Sequence, residues 1–401
     1  MDEAYRAALL DWMACAVGGR DEPAARAARV GGDGLLETVT ALGTAGHVLD
    51  FDDTYLPGIA HLSAPVAPAA IAVAARAGAT TGDVLAAHAA GFEAMGALAR
   101  GAHPALYDGG WHPTAVCGSL GAAVAAAHLL GLDAERTRHA RGLALLRPAG
   151  MRSVFGSDGK SLQVGIAAAA GVQAALLAAG GARSGAQMET TFGEGFTAAA
   201  LGDADGAQPA IEQNWIKPWP CCLMAHGAIE CATLVGGLQS SVSRSDKSTR
   251  PIAEPAKKGP PTGPGRLTVA VHPVARAAAA YDDVADGLQA KFSIPYLTAF
   301  TLLRGEPRVA SFASVDDEIR DYARERIAIR VDDALGESET IIEDAEGSEL
   351  ARVAAARGSP GRPLTADQLA AKVKRLAGAG LDGVLAHDSR PAAELRDAIV
   401  A

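Results

Sequence analysis

VGIAAAAGVQAALLAAGGA, residues 164–182, is the longest apolar run in the chain, and its residue types separate three kinds of fold. It is mostly Ala and Gly and contains Gln173, so it lacks the Leu, Ile and Phe content that drives a helix into a bilayer. β-sandwiches and barrels need β-branched and aromatic runs, which it does not supply. A buried helix, close-packed against other small-residue helices, is the expected form. The whole chain is built the same way: aromatic residues are 4% of its 401 residues, while an apolar share of 49% is ample for a substantial core. The length fits two or three domains or one large one.

Working outward from this run, residues 4–17 read as a helix, with Leu9, Trp12, Met13 and Ala16 on one face and Gly18-Gly19 at its end. Thr80–Arg100 is a second, where Thr80 caps and Asp83 follows three residues on. Ala115–Leu130 stops at Gly131, and Asp133 caps a further helix through Leu146. No self-similar period suggests a solenoid. After residue 235 the composition changes. Gln239–Arg266 is rich in Ser, Pro, Gly and charge, and reads as an exposed, mobile excursion that cannot offset its ordering entropy. Beyond it, 267–273 and 327–333 alternate like strands, Glu339–Ile342 offers a third, and Ile294–Leu303 is helical between them. A smaller α+β unit therefore follows a helical one. Thr365 and Gln368 form a capping box for a helix to about Ala377, and a last helix spans the region of Ala392.

Charge and cysteine content narrow the function. Lys and Arg number 36 against 46 Asp and Glu, a formal charge of −10, which gives no electrostatic pull toward nucleic acid or anionic lipid. Asp2 and Glu3 stand where a secretory signal carries positive charge, and five cysteines, two of them adjacent, make no disulfide framework. A reducing cytoplasm is expected, with neither membrane nor nucleic acid as partner.

Four polar constellations could carry chemistry. HVLDFDDTYLPGIAHLS, residues 47–63, gathers His47, Asp50, Asp52, Asp53, Thr54 and His61 around a Pro-Gly turn. A histidine and a carboxylate there could divide the two proton roles; the alternative is a helix end capped by Asp and Thr. In GGWHPTAVCGSLGAAV, residues 109–124, His112 precedes a helix, so an anion near Thr114 would meet backbone N–H groups and the positive end of the dipole; the alternative is an N-cap threonine and a buried histidine. Lys160 in GSDGKSLQVG, residues 156–165, could bind a carboxylate at a helix start or simply be solvated. In NWIKPWPCCLMAHGAIE, residues 214–230, Cys221, Cys222 and His226 invite a zinc reading, but adjacent cysteines rarely share one tetrahedral ion and no second ligand group is visible. No cluster spacing and no nucleotide or nucleophile-elbow motif is present, so neither metal nor cofactor is expected.

HVLDFDDT with His-x-Ser, GWHPTAVCGSLGAA, GKSLQVG, KPWPCCLMAHGAIE and AKFSIPY (290–296), in this order, resemble blocks of the MmgE/PrpD family, over about Leu9 to Leu376. The family includes 2-methylcitrate dehydratase, cis-aconitate decarboxylase and iminodisuccinate epimerase. The resemblance implies a mainly α protein with a large all-helical domain at 1–212, completed by 364–401, and a smaller α+β lid domain at 213–363. It also implies a homodimer and a cofactor-independent site for a small di- or tricarboxylate. Family active-site positions fall on Asp50, Thr54 and His61, on His112, on Lys160, and on Lys217 with Cys222. In that reading His61 and His112 share the acid and base tasks and Asp50 orients or tunes the histidine. Thr54 binds substrate, while Lys160, Lys217 and the helix start near Thr114 hold its carboxylates. Two departures stand out: the usual His-Pro-Ser reads His61-Leu62-Ser63, and Gln163 stands where a histidine is common, which removes a possible acid/base group. The leading expectation is a hydro-lyase of the 2-methylcitrate dehydratase type. The alternatives are an epimerase or decarboxylase on a related substrate and a non-catalytic carboxylate-binding homodimer.

Overall fold

The computed structural model describes residues 2–188, 192, 208–242 and 265–400. Of the excursion expected at 239–266, residues 243–264 lie outside the described residues; residues up to Val242 finish a helix that starts at His226. The chain divides into two compact units, Met1–Lys217 with Pro363–Ala401, and Pro218–Arg362. The first unit thus keeps residues 213–217, which the sequence reading assigned to the second.

The first unit is helical. Its elements are α1 (Asp2–Gly19), α2 (Pro23–Ala28), α3 (Leu35–His47), α4 (Ser63–Ala77), α5 (Thr81–Ala102), α6 (Ala105–Asp108), α7 (Pro113–Leu129), α8 (Ala134–Ala144) and α9 (Gly159–Ala179), followed by helices Ala366–Ala377 and Ala392–Val400. Local chemistry sets several boundaries. Thr80 and Asp83 form a reciprocal capping box at the start of α5, Asp133 caps α8, and Thr365 with Gln368 boxes the helix that returns to pack on α1. Gly131, at φ +61°, follows the end of α7, where a residue with a Cβ would be strained.

Small residues set how closely these helices approach. A Cβ added to Gly165 of α9 would lie 2.3 Å from the Thr40 carbonyl of α3, and one on Gly43 of α3 would lie 2.9 Å from the Gly165 Cα. Likewise, a Cβ on Gly171 would reach 2.3 Å from the Ser119 carbonyl of α7, and one on Gly91 of α5 would stand 2.5 Å from the Gly121 carbonyl of α7. The backbones therefore touch where glycine stands, and the Ala-rich faces fill the remaining space. Among the described residues α9 is the one helix long and apolar enough to cross a membrane, yet its inner face packs on α3, α4, α7 and α8. The expectation of a buried helix holds for that face alone: Ile166, Leu176 and Leu177 are 55%, 40% and 50% exposed.

The second unit carries a four-stranded sheet in the order β4-β3-β5-β6, from β3 (Leu267–Val271), β4 (Ile327–Val331), β5 (Thr340–Glu343) and β6 (Glu349–Val353). β3 runs parallel to β4 with Leu267 opposite Ile327, and antiparallel to β5 with Val269 opposite Ile342. The parallel pair needs a crossover, which the helices between residues 273 and 326 provide. Ser293 caps the helix Ile294–Arg304 inside it. Strand β6 was not anticipated, because ELARV alternates weakly and keeps Glu349 and Arg352 in solvent.

Candidate active site

Three helix ends meet in the first unit. α3 ends at His47, α7 begins after His112, and α9 begins one residue before Lys160. The close crossing of Gly43 and Gly165 lies within about one and a half turns of His47 and Lys160, so it fixes the distance between those side chains. Lys160 Nζ comes to 2.7 Å from His47 Nε2.

The loop after α3 brings its polar groups back to the same point. Asp50 adopts a left-handed backbone at φ +51°, a conformation that Asp tolerates better than bulkier residues. Further on, Tyr55 and Ala60 exchange both backbone hydrogen bonds at 2.7 and 3.1 Å around Leu56-Pro57-Gly58, which sets Thr54 and His61 side by side. His61 is held from behind: its N–H donates to the Thr114 hydroxyl at 3.0 Å. The short strand β1 (Thr54–Tyr55) pairs antiparallel with β2 (Asn214–Trp215), and this carries Lys217 in, where Nζ donates to the Asp50 carbonyl at 2.9 Å and lies 3.2 Å from its carboxylate. Lys372, from the helix Ala366–Ala377, ties the loop down elsewhere: Nζ donates to the Phe51 carbonyl at 2.7 Å and pairs with buried Asp11 at 2.6 Å.

The result is a buried, charge-balanced cluster. Asp50 Oδ1 pairs with Lys160 at 2.9 Å as well as with Lys217. Burial disfavours the Asp50 charge, but the two ammonium groups outweigh it and hold its carboxyl well below the usual carboxylate range. Asp52 instead faces two imidazoles, His47 Nδ1 at 2.9 Å and His61 Nδ1 at 3.1 Å, and despite its burial these hold it low too. Burial drives the histidines the other way: His47 is lowered, His61 falls to about 3 against the pull of Asp52, and His112 lies well below its ordinary value. Burial favours the neutral ring, and a carboxylate at Nδ1 of both histidines favours the tautomer with its proton there. His47 Nε2 accepts from Lys160, whereas His61 Nε2 lies 3.6 Å from Asp50 and makes no hydrogen bond among the described residues. A carboxylate holding Nδ1–H while Nε2 is bare is the arrangement of a general base. Beside them, burial and the Asp52 charge push Asp53 up to about 8, so it keeps its proton while Asn214 Nδ2 donates to it at 2.9 Å.

Residues 35–208 match the MmgE/PrpD N-terminal domain and residues 219–394 the MmgE/PrpD C-terminal domain. The chain belongs to the MmgE/PrpD family. The clustered residues from His47 to Gln163 fall inside the N-terminal match, and Lys217 falls between the two. Curated relatives are called cis-aconitate decarboxylase: that of Homo sapiens is 31% identical over 207 residues, 48% of this chain and 43% of the relative. That of Aspergillus terreus is 31% identical over 205 residues, 45% and 41%, and that of Mus musculus 30% over 207 residues, 48% and 42%. The matched stretch thus spans less than half the length of these relatives.

Within this MmgE/PrpD chain, Asp50, Thr54, His61, His112, Thr114, Lys160 and Lys217 all lie in the first unit, and most belong to one network. Asp50 binds both lysines and lies 3.6 Å from His61 Nε2, while Asp52 meets Nδ1 of His47 and of His61. Thr114 holds the His61 backbone, and the N–H groups of Ala115 and Val116 fold back to the His112 carbonyl, so the start of α7 is less open to an anion than expected. Thr54 Oγ1 lies 3.5 Å from His61 Nδ1. Cys222 belongs to the second unit, where its N–H donates to the Lys291 carbonyl at 3.0 Å. Sequence reasoning did not select His47, Asp52 or Gln163 as site residues, although the first two stood in the polar cluster it identified; Gln163 Nε2 lies 2.6 Å from His112 Nδ1. His47, Asp50 and His61 bring ligand-type atoms within 4.8 Å of one another, but Lys160 and Lys217 already supply positive charge to Asp50 there, so this donor set does not fit a metal ion.

Proposed function

We propose that this chain is a lyase acting on a small di- or tricarboxylate, with His61 as the group that moves the proton. The observation that carries the reading is the Asp52–His61 pair, whose Nε2 lone pair is bare inside a site holding two lysines. In the hydro-lyase reading Nε2 takes a proton from a carbon activated by a neighbouring carboxylate, and Asp52 stabilises the imidazolium that forms. The proton then leaves with the departing hydroxyl as water. Substrate carboxylates enter beside the ammonium groups of Lys160 and Lys217, which share the single carboxylate of Asp50 until then. The names of the relatives favour a second reading, decarboxylation, in which carbon dioxide leaves, the C–C electron pair stays on the carbon, and that carbon takes a proton which His61 Nε2 has first drawn from water. We also propose a second copy of the chain as partner, with the exposed Ile166, Leu176 and Leu177 of α9 as apolar side chains for it to cover.

The test is a product screen by NMR over methylcitrate, cis-aconitate, citrate and iminodisuccinate in deuterated buffer, with and without chelator. Loss of water from a hydroxylated tricarboxylate supports the hydro-lyase, and release of carbon dioxide from cis-aconitate supports the decarboxylase. Turnover of none of them, with no deuterium exchange, rejects the lyase reading.

A further inference from the structure

Gln163 reaches from α9 to two partners, and the first fixes how the second must be read. Its side-chain oxygen accepts the Met151 N–H at 2.9 Å, and since a backbone N–H can only donate, this identifies the amide oxygen. The amide nitrogen therefore faces His112 Nδ1 at 2.6 Å, with the Met151 carbonyl at 3.4 Å on its other side. We propose that Gln163 is a positioning residue that locks His112 in the neutral Nε2–H tautomer, so that this histidine is a fixed hydrogen-bond donor to a substrate oxygen and not a proton-accepting base.

The chemistry is one of matching donors. With an amide N–H aimed at it, Nδ1 must offer its lone pair, so the ring proton sits on Nε2, which makes no hydrogen bond among the described residues. Protonating Nδ1 would set two donors head to head. Turning the amide over would in turn put its nitrogen against the Met151 N–H and its oxygen against the Met151 carbonyl. The surroundings reinforce the neutral state. His112 is buried; Lys160 faces it from α9 and His47 from the end of α3, its ring stacked at 5.9 Å. His61 faces it from the loop, Asp50 pulls the other way, toward the charged form, and the Phe155 ring packs edge-on at 4.9 Å.

His61 and His112, which look alike in sequence, are thus opposites. A carboxylate on Nδ1 leaves His61 Nε2 bare, whereas an amide on Nδ1 leaves His112 Nε2 protonated. A neutral imidazole of this kind polarises a carboxylate or developing enolate oxygen without changing its own charge. The substrate contact rests on the lyase reading above; the tautomer does not.

The tautomer is read by two-bond ¹H–¹⁵N spectra of the histidine rings in the full ¹⁵N-labelled chain without substrate, with His112 assigned by comparison with His112→Asn. The expected pattern is a bare Nδ1 and a protonated Nε2, unchanged from about pH 5.5 to about 8.5. In Gln163→Glu one carboxylate oxygen still accepts from Met151 and the other accepts from His112, so the proton should move to Nδ1 and imidazolium should appear within that range. A wild-type His112 protonated on Nδ1 or titrating there overturns the proposal, as does an unchanged ring in folded Gln163→Glu. Should that variant not fold, the wild-type spectrum alone decides. Correct spectra with no turnover of any polycarboxylate would sink the lyase reading and leave the tautomer standing.

Discussion

Asp52 separates the two ways a carboxylate can serve this site. Its oxygens take Nδ1–H from both His47 and His61, so replacing it by Asn puts an amide where an acceptor is needed and lets His61 turn to the wrong tautomer. Asp52→Asn should leave the fold intact and cost about 10²–10⁴-fold in kcat on whichever polycarboxylate the product screen identifies, comparable to His61→Ala. Asp50 offers a contrast: its neighbours are ammonium groups, so Asp50→Asn strands two buried cations and should lower stability as well as turnover. Rates and chemical denaturation measured side by side separate the two aspartates. An Asp52→Asn enzyme with near-normal kcat would show that His61 needs no orienting carboxylate.

At the scale of elements, the site depends on a helix crossing made by two glycines. α3 and α9 cross at Gly43 and Gly165, and this crossing holds Lys160 2.7 Å from His47. In Gly165→Ala the new Cβ would meet the Thr40 carbonyl at 2.3 Å and the Thr44 hydroxyl at 2.5 Å, so the helices must part. The expected loss is about 1–3 kcal/mol of stability, typical of overpacking, with a fall in activity beyond what the loss of folded protein explains. Gly180→Ala, just past the end of the same helix, meets nothing closer than 3.4 Å and should stay within about 0.5 kcal/mol of the parent. Equal denaturation midpoints for the two variants would mean that the crossing is not tight.

For the whole molecule, the buried histidines set the response to acid. His47, His61, His88 and His112 all titrate below their ordinary value, His61 and His88 at about 3, chiefly because burial disfavours the imidazolium. Below about pH 6.5 the unfolded chain takes up protons that the folded chain refuses, so stability is lost as pH falls, by up to about 1.4 kcal/mol per pH unit for each histidine. Asp53 acts in the opposite sense: raised to about 8, it keeps its proton when the unfolded chain has released it, so its contribution declines as pH rises from about 4 to 8. The melting temperature should therefore peak near neutral pH and drop between about pH 6.5 and 5.5. His88 bonds Ser63 on α4 at 3.2 Å, and His88→Gln should flatten the acid drop. Parallel curves for His88→Gln and wild type would mean that His88 is not held neutral.

Much of this could be read without coordinates, because it is local. The Ala and Gly runs allow helices and little else, Thr80, Asp133 and Thr365 announce their caps, and the polar blocks around His61, His112, Lys160 and Lys217 single themselves out from an apolar background. Partnership was not legible. Asp50 and Asp52 stand two residues apart in the same motif, yet the hydrogen bonds of one carboxylate go to lysine and those of the other to histidine. Gln163 reads in sequence as a missing histidine, and in the fold its amide sets the proton on a ring 51 residues away. Propensity and periodicity act over a few residues and so decide elements. Tautomer and charge depend on which groups meet at about 3 Å, and only the packing of α3, α7 and α9 with their loop brings those groups together.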